Sequence, residues 1–266
     1  MAADQATIDR AAQWLAEARL GKRSVGEMPA ALRPATPAMG YAIQAALHKR
    51  LTAAGRGALV GWKVGATTLP MQKLLNMPEP VAGAILASGV LRSSTGMKFA
   101  DFIKPGVECE VCVRLKSPLP GKPGAVDSAA AAAAVGEMCS AIEVVDNRYG
   151  DFAKMGAPTI IADDVFQAAV ILGVWHEDWH DMDLVDCVGT MSVDGVTKLE
   201  GRGLDVMGNP LESLAWLANL LGTRGERLEP GQIVMTGSLT LPYWANRGEK
   251  LQARIDGLGA VNAVFE

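Results

Sequence analysis

Hydrophobic residues recur every three or four positions along the first part of the chain. One such run ends at Gly21, and a second begins at Thr36-Pro37 and ends near Gly57. Thr is a favoured N-cap residue and Pro suits the first position of a helix, so this dipeptide marks a helix start. The pattern therefore predicts two helices in a helical N-terminal portion that covers residues 1–57.

From residue 58 onward the hydrophobic residues form short runs that Gly and Pro interrupt, which is typical of strands linked by turns. We predict strands at 58–64, 141–145 and 232–235, several short strands between 81 and 115, and hairpins that turn at Asp194-Gly195 and Asp256-Gly257. We predict helices at 70–75, at 129–138, where alanine is abundant, and after Asn209-Pro210. The predicted fold class is α+β, with a mixed β-rich catalytic core over residues 58–266, flanking helices and one functional unit.

Composition narrows the class of protein. The 266 residues are 49% hydrophobic and 20% charged, which is ordinary for a globular protein. The formal net charge is −4 and no strongly basic run exists, which argues against nucleic acid as a partner. No apolar stretch approaches the roughly 18 residues that a membrane span needs. The N-terminus lacks a signal pattern, so we expect a cytoplasmic protein.

Three carboxylates interrupt two apolar strand-like segments. Glu108 and Glu110 are two positions apart and therefore point to the same side of a strand, and Glu143 lies within a second apolar run. Burying like charges together is costly, and a divalent cation with oxygen ligands, Mg²⁺ or Mn²⁺, would offset that cost. The other interpretation is a sheet face with these side chains in solvent.

Two further polar segments have the same ambiguity. Lys63 lies between Trp62 and Val64 in a predicted strand, where it is either a surface residue or a catalytic ammonium whose pKa falls in an apolar wall beside a metal. Thr236 and Ser238 follow an apolar strand directly. Hydroxyls and backbone N–H groups at a strand end can bind an anionic group of a substrate. Many ordinary turns at strand ends have the same composition.

Two motifs are weaker than their patterns suggest. Residues 176–180 match H-E-x-x-H, but the zinc-protease mechanism needs both histidines on one helix, and here the motif follows a strand-like run. Cys109 and Cys112 form a C-x-x-C that falls on opposite faces of a strand, and no second pair completes a zinc site. We expect a polar loop in the first case and small buried hydrophobes in the second.

The ordered set of these segments resembles the 2-keto-4-pentenoate hydratase and 4-oxalocrotonate decarboxylase branch of the fumarylacetoacetate hydrolase superfamily. The segments that carry the resemblance are residues 61–65, 71–72, 108–110, 142–148, 208–219 and 231–240. The resemblance implies a mixed β fold, a homo-oligomer, Mg²⁺ or Mn²⁺ held at Glu108, Glu110 and Glu143, and proton transfer by Lys63. It implies a small 2-oxo or 2-hydroxy carboxylic acid as substrate, from the catabolism of aromatic rings.

The chain departs from the family pattern beside the expected substrate pocket. Asp163-Asp164-Val165-Phe166 stands where the family usually has Asp-Asn-Ala-Ser, and Val81 lies where hydratases often carry an acidic residue. We expect a reshaped pocket in which Asp164, Thr236 and Ser238 contact the substrate.

Three functions remain as hypotheses. The first is a metal-dependent hydratase that acts on a 2-hydroxydienoate or 2-oxo-enoate acid, in which a cation stabilises the developing enolate charge. The second is a decarboxylase of a 2-oxo-enedioate at the same site. The third is a non-catalytic member of the family that binds a metal or a partner lyase. Hydrolysis of a C–C bond would need an activated water, and no histidine motif is suitably positioned to supply one.

Overall fold

Thirteen strands and six α-helices account for most of the ordered backbone in the computed structural model, which describes residues 4–266. The strands are β1 Leu59–Gly65, β2 Val81–Leu86, β3 Val90–Arg92, β4 Thr95–Met97, β5 Pro105–Leu115, β6 Val135–Asp146, β7 Gln167–Leu172, β8 Val188–Val193, β9 Val196–Arg202, β10 Ile233–Ser238, β11 Tyr243–Trp244, β12 Lys250–Ile255 and β13 Gly259–Phe265. The helices are α1 Gln5–Leu20, α2 Pro37–Leu51, α3 Leu69–Leu75, α4 Ser128–Ala134, α5 Ala157–Ala162 and α6 Pro210–Thr223. None of the described helices is long and apolar enough to cross a membrane.

The strands form two mixed sheets. The larger has the order β2-β1-β10-β5-β6-β7-β3, with β11 paired to β5, and the smaller has the order β4-β13-β12-β8-β9. Most neighbours are antiparallel, but β1 runs parallel to β10, β3 parallel to β7 and β4 parallel to β13. This arrangement confirms the predicted class, a mixed β-rich core with flanking helices.

The two faces of the larger sheet have different environments. One face packs apolar side chains such as Val111, Ile142 and Val234 against the smaller sheet and α6, which forms the main core. The other face is drawn inward because the sheet curls until β2 approaches β7. Small and medium apolar residues, including Ile85, Cys139 and Met235, fill part of this inner face. Polar side chains on the inner face are therefore held away from water.

The N-terminal helices pack on the rest of the chain through α5. Gly40 of α2 allows this close approach, because a Cβ at that position would lie 2.5 Å from the carbonyl oxygen of Pro158. At the end of α1, Arg19 Nε lies 2.8 Å from Asp163 Oδ1. The division of the chain at residue 57 stays a prediction.

Local signals explain which elements the sequence predicts correctly. The side chains of Thr36 and Asn209 cap α2 and α6 and are each followed by Pro, and Asp194 and Gly195 have the positive φ values that a tight hairpin turn needs. The predicted helix at 129–138 is too long. It ends at Ala134, because Val135 pairs with Leu115 and the following residues continue along β5, so sheet pairing outweighs local helix propensity.

Candidate active site

Three carboxylates converge on the inner face of the larger sheet. Glu108 of β5 lies directly opposite Glu143 of β6, and Glu110 lies two positions further along β5 on the same face. One oxygen atom from each of the three side chains lies within 4.8 Å of the others. Glu110 is 1% exposed and Glu143 is fully buried, so the structure does not support the interpretation of a solvent-exposed sheet face.

The electrostatics of this cluster favour a bound cation. Burial, followed by the charge of Glu143, raises the pKa of Glu108 to about 7 against the opposing effect of Lys63. Burial and the same like charges raise the pKa of Glu110 well above its usual value. Among the described residues, Glu143 Oε2 has no hydrogen-bond donor, and Lys63 Nζ lies 2.8 Å from Oε1. The three carboxylates lack sufficient neighbouring positive charge, and they offer the hard oxygen ligands that Mg²⁺ and Mn²⁺ prefer.

Lys63 is the cation that the chain itself supplies to the cluster. The side chain is 2% exposed, and its Nζ lies 2.8 Å from Glu143 Oε1. Burial lowers the pKa of Lys63, but the carboxylates of Glu143, Glu108 and Glu110 outweigh it and hold the pKa above its usual value. The pKa of Lys63 is therefore raised in the protein without a bound cation, because three negative charges surround the ammonium, and the expected fall beside a bound metal stays a prediction.

A glycine makes room for this lysine. Gly83 of β2 pairs with Lys63 of β1. A Cβ at Gly83 would lie 3.3 Å from Lys63 Cγ and 2.8 Å from the carbonyl oxygen of Asp164. A larger residue at position 83 would therefore displace either the lysine or the segment behind it.

The end of β10 closes the cluster on another side. The Gly237 N–H donates to Glu110 Oε2 at 2.8 Å, and Gly237 has a φ of 115° that disfavours other residues. The Thr236 hydroxyl is fully buried and donates to the Val111 carbonyl at 2.9 Å. Of the two hydroxyls predicted from the sequence, Ser238 lines the adjoining cavity and Thr236 instead anchors the strand end.

A cavity of about 350 Å³ opens onto two of the three carboxylates, Glu108 and Glu110, and neither Glu143 nor Lys63 is among its lining residues. Glu108, Glu110 and Ser238 form part of its wall, and Thr67 and Met71 come from the segment that enters α3. None of the described residues that line it is Lys, Arg or His. The cavity has a size that suits a small-molecule ligand, and its lining is acidic.

Asp164 lies outside this cavity. Its Oδ1 accepts a hydrogen bond from the Ala84 N–H at 2.8 Å and lies 2.8 Å from His48 Nε2. Asp164, Val165 and Phe166 have consecutive φ values of 56°, 50° and 62°, a left-handed conformation that is costly for residues with side chains. The structure thus brings Lys63, Glu108, Glu110, Glu143 and Ser238 together and directs the Asp164 carboxylate elsewhere.

Four residues at this site were not anticipated from the sequence. Glu200 and Asp205 are exposed and line the cavity from β9 and the turn that follows it, and Thr67 lies before α3. His48 holds Asp164 from α2. Their sequence context is that of an ordinary polar hairpin, turn or helix, so no local signal identifies them.

The two weak motifs have the structures expected of them. His176 pairs with Met138 in an isolated β-bridge, and only residues Trp179–Asp181 of the following segment form a short 3₁₀ turn. Cys109 and Cys112 are both buried, on opposite faces of β5. Among the described residues, only the three glutamates form a group with metal-ligand geometry.

Comparison with known proteins agrees with this geometry. Residues 89–266 match the family model for the C-terminal region of fumarylacetoacetate hydrolase. The chain is 33% identical to a 2-keto-4-pentenoate hydratase of Paraburkholderia phymatum over 262 residues, which is 98% of each chain. It is 32% identical to a 4-oxalocrotonate decarboxylase of Pseudomonas putida over 230 residues, 86% of each chain.

A solved structure extends the similarity to the whole fold. The 4-oxalocrotonate decarboxylase from Pseudomonas putida G7, complexed with magnesium and adipate, has a TM-score of 0.90 and 27% sequence identity. The similarity covers 99% of this chain and 98% of that one. On these findings, the chain belongs to the fumarylacetoacetate hydrolase family.

Proposed function

We propose that this protein is a divalent-metal-dependent lyase that adds water to a 2-hydroxydienoate or 2-oxo-enoate acid. The observation that carries the proposal is the buried group of Glu108, Glu110 and Glu143 with Lys63 paired to it. The full-length similarity to a protein named 2-keto-4-pentenoate hydratase supports it. The active chain is proposed to be a cytoplasmic homo-oligomer. Association with a partner lyase is a separate proposal.

Glu108, Glu110 and Glu143 would hold Mg²⁺ or Mn²⁺ through carboxylate oxygens. When bound, the cation supplies positive charge that stabilises negative charge on the substrate carboxylate and 2-oxygen. The Gly237 N–H keeps the Glu110 carboxylate in place through its 2.8 Å hydrogen bond. Thr236 fixes the same strand end, so its role is to position Gly237.

Lys63 is the proposed proton carrier. Its Nζ is buried and is held at 2.8 Å from Glu143, so the proton that it holds is shielded from water until a substrate reaches it. From this position Nζ would give a proton to a substrate carbon and later recover one. Ser238 lines the cavity, and its hydroxyl, which lies 3.4 Å from the Cys109 carbonyl oxygen, would bind the substrate carboxylate.

Asp164 is proposed to act on Lys63 through the backbone. Its carboxylate holds the Ala84 N–H, and its carbonyl packs against Gly83, the β2 partner of Lys63. This arrangement would fix the wall behind the lysine. We therefore propose a positioning role for Asp164 instead of the substrate contact that the sequence suggested.

Decarboxylation of a 2-oxo-enedioate is the second candidate, which the similarity to the two decarboxylases supports. Such a substrate has a second carboxylate. None of the described residues that line the cavity is a cation that could pair with this second carboxylate, and the negative charges of Glu200 and Asp205 would repel it. The lining therefore favours a monocarboxylic acid and the hydratase.

The test uses purified protein with Mg²⁺ or Mn²⁺. Loss of the diene absorbance of a 2-hydroxydienoate would follow hydration, and CO₂ release from a 2-oxo-enedioate would follow decarboxylation. We expect hydration that Glu108→Gln abolishes. Turnover of the enedioate in preference to the monocarboxylate would reverse the order of the candidates. Full metal occupancy without turnover of any 2-oxo acid in a panel would favour the non-catalytic alternative.

A further inference from the structure

A second and larger cleft lies where the N-terminal helices meet the edge of the larger sheet. Its volume is about 510 Å³, and none of its lining residues is shared with the carboxylate cavity. The walls come from the end of α1, the segment after α2, the strands β3 and β4, and the start of β7. The cleft is therefore a separate feature that the proposed reaction does not use.

The charge of this cleft is opposite to that of the carboxylate cavity. Three acidic side chains line it, Asp101, Asp146 and Asp164, against five cationic ones; with Asp163, which pairs with two of the cations, the group has a net positive charge of one. The cationic side chains are Arg19, Lys22, Arg56, Lys98 and Arg148. A positively charged concave surface of this kind attracts anions.

Two of these cations are available to a ligand. Arg19 and Arg148 are bound to Asp163, and Lys22 is paired with Asp101. Arg56 and Lys98 are exposed, and neither has an ion pair or side-chain hydrogen bond within residues 4–266.

A buried donor in the cleft lacks a partner. Gln167 is 5% exposed, and its amide nitrogen Nε2 has no hydrogen-bond acceptor. The backbone carbonyl oxygen of Gln167 accepts from Arg19 Nη1 at 2.9 Å, which fixes the residue in the cleft wall. Because an unpaired buried N–H is costly, a rotation of the Gln167 side chain that brings Nε2 to a ligand oxygen in the cleft would be stabilised.

The remaining surface of the cleft includes a substantial apolar part, to which large side chains contribute. These are Leu51, Leu86, Leu91, Met97 and Phe102. A purely inorganic anion would leave this surface without a partner. An anion with an apolar body would cover it.

We propose that this cleft binds a small organic carboxylate with an aromatic or aliphatic body. Arg56 and Lys98 supply the positive charge, Gln167 Nε2 donates a hydrogen bond to the carboxylate, and the apolar wall contacts the body of the ligand. The site is independent of the proposed hydratase activity.

Isothermal titration of the metal-free protein with benzoate tests this site. Without a cation the carboxylate cavity repels anions, so binding there is suppressed. We expect saturable binding to one site, with benzyl alcohol binding much more weakly. Gln167→Leu should weaken benzoate binding by about three- to tenfold. The double variant Arg56→Gln/Lys98→Gln should weaken it and reduce its dependence on salt.

Two controls keep the test specific. Lys198→Gln removes an exposed lysine from β9, outside the cleft, and should leave benzoate affinity unchanged. Glu110→Gln should also leave it unchanged, since Glu110 belongs to the other cavity. Absence of saturable binding, the same affinity in both cleft variants, or binding that depends on Glu110 would overturn the proposal. The exposed Arg56 and Lys98 keep the test decisive if Gln167→Leu fails to fold.

Discussion

Two groups of buried charges lie within this fold, and the chain balances them differently. Asp163 is fully buried between two guanidinium groups, with Arg19 Nε at 2.8 Å and Arg148 Nη2 at 2.7 Å. Burial alone would raise the pKa of Asp163, but the two cations outweigh it and hold the pKa below its usual value. This carboxylate is therefore ionised and fully paired by the protein.

The carboxylate cluster has the reverse balance. Glu108, Glu110 and Glu143 share the single ammonium of Lys63, and the pKa values of Glu108 and Glu110 are raised. Where protein cations neutralise a buried carboxylate completely, the ion pairs stabilise the fold, because removing either partner would leave a buried charge alone. Where buried carboxylates outnumber the protein cations beside them, the remaining negative charge is suited to binding a cationic ligand.

The largest expected effect is on metal binding and turnover in the cluster. Glu110→Gln should lower turnover by at least about 10³-fold, because one metal ligand and the charge attracting the cation are lost. The metal-free variant should be at least as stable as the parent protein, since one of the crowded like charges is gone. Titration with Mn²⁺ and thermal unfolding measure both quantities.

Glu137→Gln is the matched control for this substitution. Glu137 lies on β6, half-buried and paired with Arg114, and does not belong to the cluster. It should leave Mn²⁺ affinity unchanged. Loss of stability in Glu110→Gln with metal affinity retained would show that the cluster is structural, like Asp163.

Lys63→Met separates proton transfer from metal binding. Turnover should fall by about 10²- to 10⁴-fold, the usual contribution of a positioned acid or base. Mn²⁺ affinity should be equal or higher, because the ammonium that competes for Glu143 is removed. Lys198→Met, on the exposed surface of β9, serves as the control. A parallel loss of metal affinity and turnover would contradict the assignment of Lys63 as proton carrier.

Asp163→Asn tests the network that the chain completes. Two buried guanidinium groups would lose their shared counter-charge, so the free energy of unfolding should fall by about 3–5 kcal/mol. Urea unfolding measures this loss. Mn²⁺ affinity of the folded variant should be unchanged. Asp151→Asn, at an exposed ion pair with Lys154, should have no measurable effect on stability. An unchanged free energy of unfolding in Asp163→Asn would contradict the assignment of these ion pairs to the stability of the fold.

The smallest expected effect is on the pH dependence of metal affinity. The pKa of Glu108 is raised to about 7, so below this value the side chain keeps its proton and must release it to bind a cation. The pKa of Glu110 is raised as well, so Mn²⁺ affinity should fall by at least roughly tenfold per pH unit as the pH drops below 7. Asp163, with its lowered pKa, stays ionised over this range and contributes nothing. A flat profile from pH 5.5 to 7 would contradict this account.

The sequence predicts the glutamates on the strands better than the other residues of the site. Alternation along a strand places Glu108 and Glu110 on one face, and the apolar neighbours of Glu143 predict its burial. The cross-strand pairing of Glu108 with Glu143 is a property of sheet register, which distant segments determine together.

The segment at Asp164 could not be predicted in the same way. Three consecutive left-handed residues with side chains follow no propensity rule, and they turn the Asp164 carboxylate toward His48 and Ala84. Glu200 and Asp205 join the cavity only through the packing of the hairpin that follows β8. The helix ending at Ala134 shows the same limit, because pairing with β5 overrides the preference of the alanine run.

A crystal structure with Mn²⁺ and oxalate would show whether the three glutamates bind the metal. Oxalate mimics the 2-oxo acid end of the proposed substrate, and anomalous scattering locates manganese without ambiguity. We expect one strong peak between the carboxylates of Glu108, Glu110 and Glu143, with oxalate beside it and Lys63 Nζ nearby. A peak elsewhere, such as at His176 and His180, or three glutamates that bind no metal, would contradict it.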